Sequence, residues 1–132
     1  MYYVSKPLFF PPVSEANADG ILAVGGDLSP ERLQLAYNSG IFPWFEEDDP
    51  ILWWSPNPRM VLFLGELIVS KSMRNILNRN VFKVTFNQNF RDVITNCQNI
   101  KREGQNGTWI TNDMIEAYCR LHQLGIAKSV EV

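Results

Sequence analysis

Trp44, Trp109, Tyr118 and His122 are side chains whose types and spacing could serve a chemistry, and each also has a packing role open to it. Trp44 lies in the stretch Gly40 to Leu62, which holds three of the four tryptophans and four of the eight prolines. Tryptophan offers a large flat apolar face with one N–H at its edge, and proline stiffens the chain while removing a backbone donor. Aromatic faces on a stiff, irregular segment make either a hydrophobic joint or a stacking platform. An unstacked base laid on such a face gains roughly 1–3 kcal/mol. Trp109, in Gly107-Thr108-Trp109-Ile110-Thr111, also follows a loop and precedes an ordered element. Both rings can be held yet partly exposed. The competing reading places all four tryptophans in the core, and of the neighbours Trp53 and Trp54 at least one is expected inside.

Tyr118 reads either as a packed tyrosine with a backbone partner for its hydroxyl, or as a hydroxyl aimed into a site opened by Trp109. His122 follows one helical turn later, with Cys119 between them, and no serine or cysteine is visibly paired with it. Cys97 and Cys119 read as reduced, packed thiols. The single histidine and the absence of paired cysteines at ligand spacing argue against a zinc site, and no cofactor is expected. The acidic run Glu46 to Asp49 is consecutive, whereas metal loops alternate their ligands, so it reads as solvated surface. Lys71, Arg74 and Arg79, with Lys101 and Arg102 in a flexible loop spanning 98–107, can contact phosphates or form a plain solvated face.

The elements that must position these groups follow from local signals. Ile21 to Val24 is a short apolar run, and Gly25-Gly26 after it supports a tight turn and matches no phosphate-binding glycine pattern. Ser29 caps a helix with Pro30 at its first position and Gly40 at its end, delivering the chain into Phe42-Pro43-Trp44. Ile51 to Trp54 and Met60 to Leu64 read as strands. A helix capped by Ser70 or Ser72 runs through Asn78 with Met73, Ile76 and Leu77 inward. Phe82, Val84 and Phe86 alternate as a half-buried strand. Phe90, Val93, Ile94 and Cys97 mark a further helix. Thr111 or Asn112 caps another, with Met114, Ile115, Tyr118 and Leu121 inward and a Gly125-Ile126 stop. Residues 127–132 alternate as a final strand with nothing to close it, which predicts the front part of a longer protein. The order after residue 58 is β-α-β-α-α-β, so the fold class is α/β (α+β).

Composition sets outer bounds. At 132 residues, 45% hydrophobic and 20% charged, the chain is one ordinary domain or two small ones with a real core. No apolar run approaches the ~20 residues of a membrane helix, and the opening residues make no convincing signal peptide. The net charge of −2 hides a polarity: residues 1–66 carry nine acids and three bases, residues 67–132 five acids and nine bases. The second half is thus the one that tolerates or seeks a polyanion.

The runs GILAVGGDLSPERL, AYNSGIFPWF, DPILWWSPNPRMVL, GTWIT and EAYCRLHQLGIAKSVEV, in order and with natural spacing, closely resemble the leucyl/phenylalanyl-tRNA–protein transferases. The resemblance covers nearly the whole chain from Gly20. It implies a bacterial cytoplasmic enzyme of the N-end rule pathway, moving leucine, phenylalanine or methionine from aminoacyl-tRNA to proteins that begin with arginine or lysine. It further implies a small N-terminal domain, residues 1–58, followed by the first half of an acetyltransferase-like (GNAT-like) domain, residues 59–132. The family's site for the 3′-terminal adenosine of tRNA maps onto Trp44, Trp109 and Tyr118, and its acceptor-stem contacts onto Lys71, Arg74 and Arg79. Asn75, Leu77 and Asn78 make that basic cluster thinner than in some relatives, and Lys128 stands where relatives often carry histidine. The family's catalytic groups and much of its side-chain pocket fall beyond Val132, so the resemblance implies that these 132 residues alone do not transfer leucine. Two other readings stand beside it: a non-catalytic module for RNA 3′ ends, and a proline–tryptophan surface that grips extended peptides.

Overall fold

Leu22, Ala23 and Val24 are buried between two neighbouring strands, which makes the apolar run after Gly20 the centre of a sheet. The computed structural model describes residues 2–100 and 108–132. Strand β1 (Tyr2–Val4) lies parallel to β2 (Ile21–Gly25), and β2 is antiparallel to β4 (Leu52–Trp54), which pairs in turn with β3 (Phe42–Pro43). The sheet order is β1-β2-β4-β3, leaving β3 at an edge. Alternation along β4 turns Trp53 inward, fully buried, with its indole N–H donating to the Gly25 carbonyl at 2.8 Å. Trp54 turns the other way and stays half-buried.

Helix α1 (Pro30–Asn38) begins as expected, the Ser29 side chain accepting from the Arg32 amide. Its end is a six-to-one and five-to-two pair of backbone bonds, Ile41 N–H to Ala36 carbonyl and Gly40 N–H to Tyr37 carbonyl, closed by Gly40 at φ +73°. That turn buries Ile41 and aims the chain at β3. Arg32, buried on α1, donates to the carbonyls of Ser5 and Pro7 and pairs with Asp27, tying the N-terminal segment down. A Cβ on Gly26 would meet the Arg32 side chain at 3.1 Å, so the glycine pair makes room as well as a turn.

Beyond the sheet come α2 (Lys71–Asn78), β5 (Thr85–Phe86), α3 (Phe90–Asn99), α4 (Asn112–Gln123) and β6 (Val130–Glu131), with β5 and β6 antiparallel. The protein is therefore mixed α/β, with four helices and two sheets among the described residues. Ser70 caps α2 and Thr111 caps α4. Helix α4 ends through Ile126 N–H to Leu121 carbonyl and Gly125 N–H to His122 carbonyl, the expected Gly125-Ile126 stop.

Several expectations are corrected. Residues 60–64 form no strand; they run exposed into a 3-10 turn, Leu64–Glu66, with Met60 99% exposed. Apolar content alone makes no strand, because a strand needs a backbone partner, and none is paired with this stretch among the described residues. The observed order after residue 58 is consequently α-β-α-α-β. Met73 and Leu77 of α2 are exposed, not inward, for want of a covering element among the described residues. The strand expected over 82–86 is paired only at Thr85 and Phe86, and that over 127–132 only at Val130 and Glu131. Helix α3 runs on through Gln98 and Asn99, into the stretch expected as loop, and Cys97 is exposed while Cys119 is buried, so only Cys119 is the packed thiol expected of both.

Two packed clusters form the core. Leu22, Ala23, Leu33, Ala36, Ile41 and Trp53 join Leu121 of α4 in one. Phe45 joins Ile110, Met114, Ile115 and Cys119 in the other. Each cluster draws on both sides of residue 58.

Candidate functional site

Phe45 and Ile110 share the second cluster, and each is preceded in the chain by a tryptophan, Trp44 exposed and Trp109 half-buried against the cluster. Pro43 and Phe45 are buried while Trp44 between them is 49% exposed, so burial of its neighbours is what holds Trp44 at the surface. The same packing brings Trp109, one residue before Ile110, to the other side of an open cavity. Trp44, Trp109, Phe42 and Pro43 line that cavity of about 300 Å³. Two tryptophans facing one apolar space can take a flat aromatic ligand by stacking.

Both walls are fixed by hydrogen bonds. The Trp44 amide donates to the Leu52 carbonyl at 2.9 Å, and the Trp44 carbonyl accepts the Trp54 indole N–H at 2.7 Å. On the Trp109 side, the Gln98 side-chain amide donates to the Ile110 carbonyl at 2.9 Å and pins the chain before α4. Arg59 donates to the Gly40 carbonyl at 2.9 Å and lies over the Phe42 ring at 4.8 Å, stiffening the rim.

Tyr118 does not line this cavity. It meets Trp109 in a neighbouring apolar cavity of about 290 Å³, walled also by Phe90, Val93, Ile94 and Met114. Trp109 thus separates the two spaces. The Tyr118 hydroxyl is hydrogen-bonded to the Tyr37 hydroxyl, a side-chain partner that neither of the two readings of Tyr118 named. Burial, then the neighbouring Tyr37, raises the Tyr118 phenol above its ordinary range, so it is a neutral hydroxyl at physiological pH. Burial likewise raises Tyr37.

His122 serves packing. Its Nδ1 is 3.0 Å from the Ala127 carbonyl, and its ring stacks on Phe90 at 4.4 Å. Neither contact involves Cys119, so the geometry forms no nucleophile–base pair. The acidic run Glu46 to Asp49 is exposed, and no metal-binding cluster occurs among the described residues. Lys71, Arg74 and Arg79 are exposed on and just after α2, while the ion pairs among the described residues are Asp27–Arg32 and Arg91–Glu116. Lys101 and Arg102 lie outside the described residues.

Sequence reasoning missed Trp54, Tyr37, Gln98 and Arg59 as supports of the aromatic walls. Their partners lie 10 to 81 residues away, and no local spacing announces such contacts.

The fold and this cleft define an α/β protein in which two tryptophans from separate segments line one open cavity. The sequence profile described as leucyl/phenylalanyl-tRNA protein transferase matches residues 61–132, and that of the N-terminal domain of the same family matches residues 26–57. Leucyl/phenylalanyl-tRNA–protein transferases of Flavobacterium johnsoniae, Flavobacterium psychrophilum and Christiangramia forsetii are 74%, 64% and 58% identical over all 132 residues. The chain covers 62%, 63% and 62% of those three relatives. The chain belongs to the leucyl/phenylalanyl-tRNA–protein transferase family.

Proposed function

We propose that this sequence is part of an aminoacyltransferase that moves leucine, phenylalanine or methionine from aminoacyl-tRNA to the N-terminal arginine or lysine of proteins. The product enters the N-end rule degradation pathway of a bacterial cytoplasm. The observation that carries the reading is the pairing of Trp44 and Trp109 across one apolar cavity in a member of this family. The terminal adenine of the tRNA stacks there, with Tyr118 contributing from behind Trp109, and Lys71, Arg74 and Arg79 meet the acceptor-stem phosphates. Residues 1–58 are the small N-terminal domain and 59–132 the first half of an acetyltransferase-like domain. The exposed apolar residues of 60–68 and α2 fit a domain whose relatives are longer.

In the reaction, the α-amine of the acceptor attacks the ester carbonyl, the amine loses a proton, and the 3′-oxygen of the terminal ribose leaves with one. An ester is already activated, so holding the two reactants together supplies much of the acceleration, ~7–11 kcal/mol for well-oriented groups. Fixed aromatic walls serve that purpose. The proton acceptor and the oxyanion donors are assigned to the portion of the relatives that this sequence does not span.

Leucine transfer from radiolabelled leucyl-tRNA to a peptide beginning with arginine tests this. Protein carried to the relatives' length transfers; the 132-residue chain does not. Turnover by the short chain would overturn the division of labour. Salt-dependent tRNA binding without transfer by the longer protein would favour a non-catalytic RNA 3′-end module instead.

A further inference from the structure

We propose that Trp54 is a positioning residue for the adenosine site, setting the Trp44 ring in place without touching the ligand; this rests on the adenosine reading of the Trp44–Trp109 cavity. Trp54 is absent from the cavity lining, which among the described residues is Phe42, Pro43, Trp44 and Trp109. It reaches Trp44 in two ways. Its indole N–H binds the Trp44 carbonyl at 2.7 Å, and its ring lies 5.4 Å from the Trp44 ring, tilted by 42°.

Trp44 needs such support. It sits one residue past β3, a two-residue strand at the sheet edge. Its amide is held by the Leu52 carbonyl, and its carbonyl accepts from Trp54. With 49% of its surface exposed, the ring has few neighbours to fix its rotamer. A mobile ring would have to be ordered when the adenine arrives, which weakens binding by the entropy of that ordering. Trp109 is held independently through Gln98 and Ile110, so loss of Trp54 unsettles one wall and leaves the other. The alternation of β4 explains why two adjacent tryptophans are needed: Trp53 fills the core, and Trp54 braces the opposite face.

The test uses the protein carried to the relatives' length and two RNA hairpins, one ending in CCA-3′ and one in CC-3′. Their affinity ratio isolates what the terminal adenosine contributes. Trp54→Phe keeps an aromatic ring and deletes the donor. We expect the ratio to fall about fivefold, the order of one lost hydrogen bond, with affinity for the CC hairpin unchanged. Trp44→Ala should lower the ratio further, by roughly 5- to 150-fold, because one of the two stacking faces is gone. A general structural loss would lower both affinities together, and that result would overturn the proposal. An intact ratio in Trp54→Phe beside a lowered one in Trp44→Ala would also overturn it, while leaving the adenosine reading standing. A ratio of one in the unmodified chain would overturn both. Should Trp54→Phe unfold the chain, the benzothienyl isostere of tryptophan at position 54, which keeps shape and loses the N–H, decides by the same ratio.

Discussion

The hydroxyls of Tyr37 and Tyr118 are hydrogen-bonded to each other, joining α1 to α4 between residues 81 apart in sequence. Their rings meet edge to face with centroids 6.3 Å apart, a favoured aromatic geometry. The contact carries the sheet-bearing part of the chain onto the helix that follows Trp109.

This pair predicts a specific alkaline weakness. Burial raises the Tyr118 phenol in the folded protein, while the unfolded phenol keeps its ordinary value near ~10. The unfolded chain therefore loses its proton first as pH rises. The stabilisation is fully present below pH ~10 and is lost as pH climbs through the raised folded value. Chemical denaturation across that range should show a falling midpoint in the natural sequence and a flatter one in Tyr118→Phe. A double-mutant cycle with Tyr37→Phe at neutral pH should give a coupling of about 0.5–1.5 kcal/mol. Zero coupling would mean the two hydroxyls stand together without contributing.

Trp53 and Trp44 should separate stability from binding. Trp53 is fully buried, packs edge-on against Phe10 at 4.8 Å and donates to Gly25. Trp53→Ala should cost ~3–5 kcal/mol of stability by thermal or urea unfolding. Trp44→Ala removes a half-exposed ring and should cost under ~1 kcal/mol. In the longer protein the same change should reduce aminoacyl-tRNA use by the ~1–3 kcal/mol of a stacked base, or roughly 5- to 150-fold. Unchanged kinetics with a large fall in melting temperature would return Trp44 to the core.

Much of this division was legible in the residues themselves. Ser29, Pro30 and Gly40 announced α1 and its exit, and period-two alternation required one of Trp53 and Trp54 to be inside. Capping and pleating are local, so sequence carries them directly. Met60 to Leu64 misled because apolar character reports a preference for burial, while a strand also needs a partner that no local pattern names. The same holds for Met73 and Leu77, a helical stripe left about half exposed along a groove that it lines with Phe82, Val84 and Val132. The supports of the site were invisible for a related reason. Trp54 to Trp44 and Gln98 to Ile110 are contacts between segments, created by packing of Phe45 against Ile110.

Glu131 should control acid stability. Its carboxylate accepts from the Ser129 hydroxyl at 2.6 Å, the Thr85 hydroxyl at 2.8 Å, and the Gln88 and Asn89 amides at 3.2 Å each. These bonds, that from Ser129 first, hold its titration below the usual glutamate range. The folded state therefore keeps the carboxylate charged when the unfolded chain has begun to bind a proton. The stabilisation is present above the unfolded value near ~4.3 and disappears as pH falls through the lower folded value. Melting followed by circular dichroism should show Glu131→Gln less stable than the natural sequence at pH 7, with the gap closing in acid. The two amides are at the start of α3, so its first turn should lose hydrogen-exchange protection in the variant.

Lys71, Arg74 and Arg79 should act on tRNA through charge alone. All three are exposed, and the ion pairs recorded among the described residues involve other partners. A cation that neutralises one phosphate releases about one counterion, so each contact adds close to one unit to the slope of log affinity against log salt. Changing any one to glutamine in the longer protein should weaken tRNA binding and reduce that slope by about one. The preference for a CCA end over a CC end should stay as it was, since the adenosine site proposed above lies at Trp44 and Trp109 and not on α2. A variant that loses affinity with no change in slope would place its cation away from the phosphates. A variant that also loses the CCA preference would show that α2 shapes the aromatic cleft as well as the path of the RNA toward it.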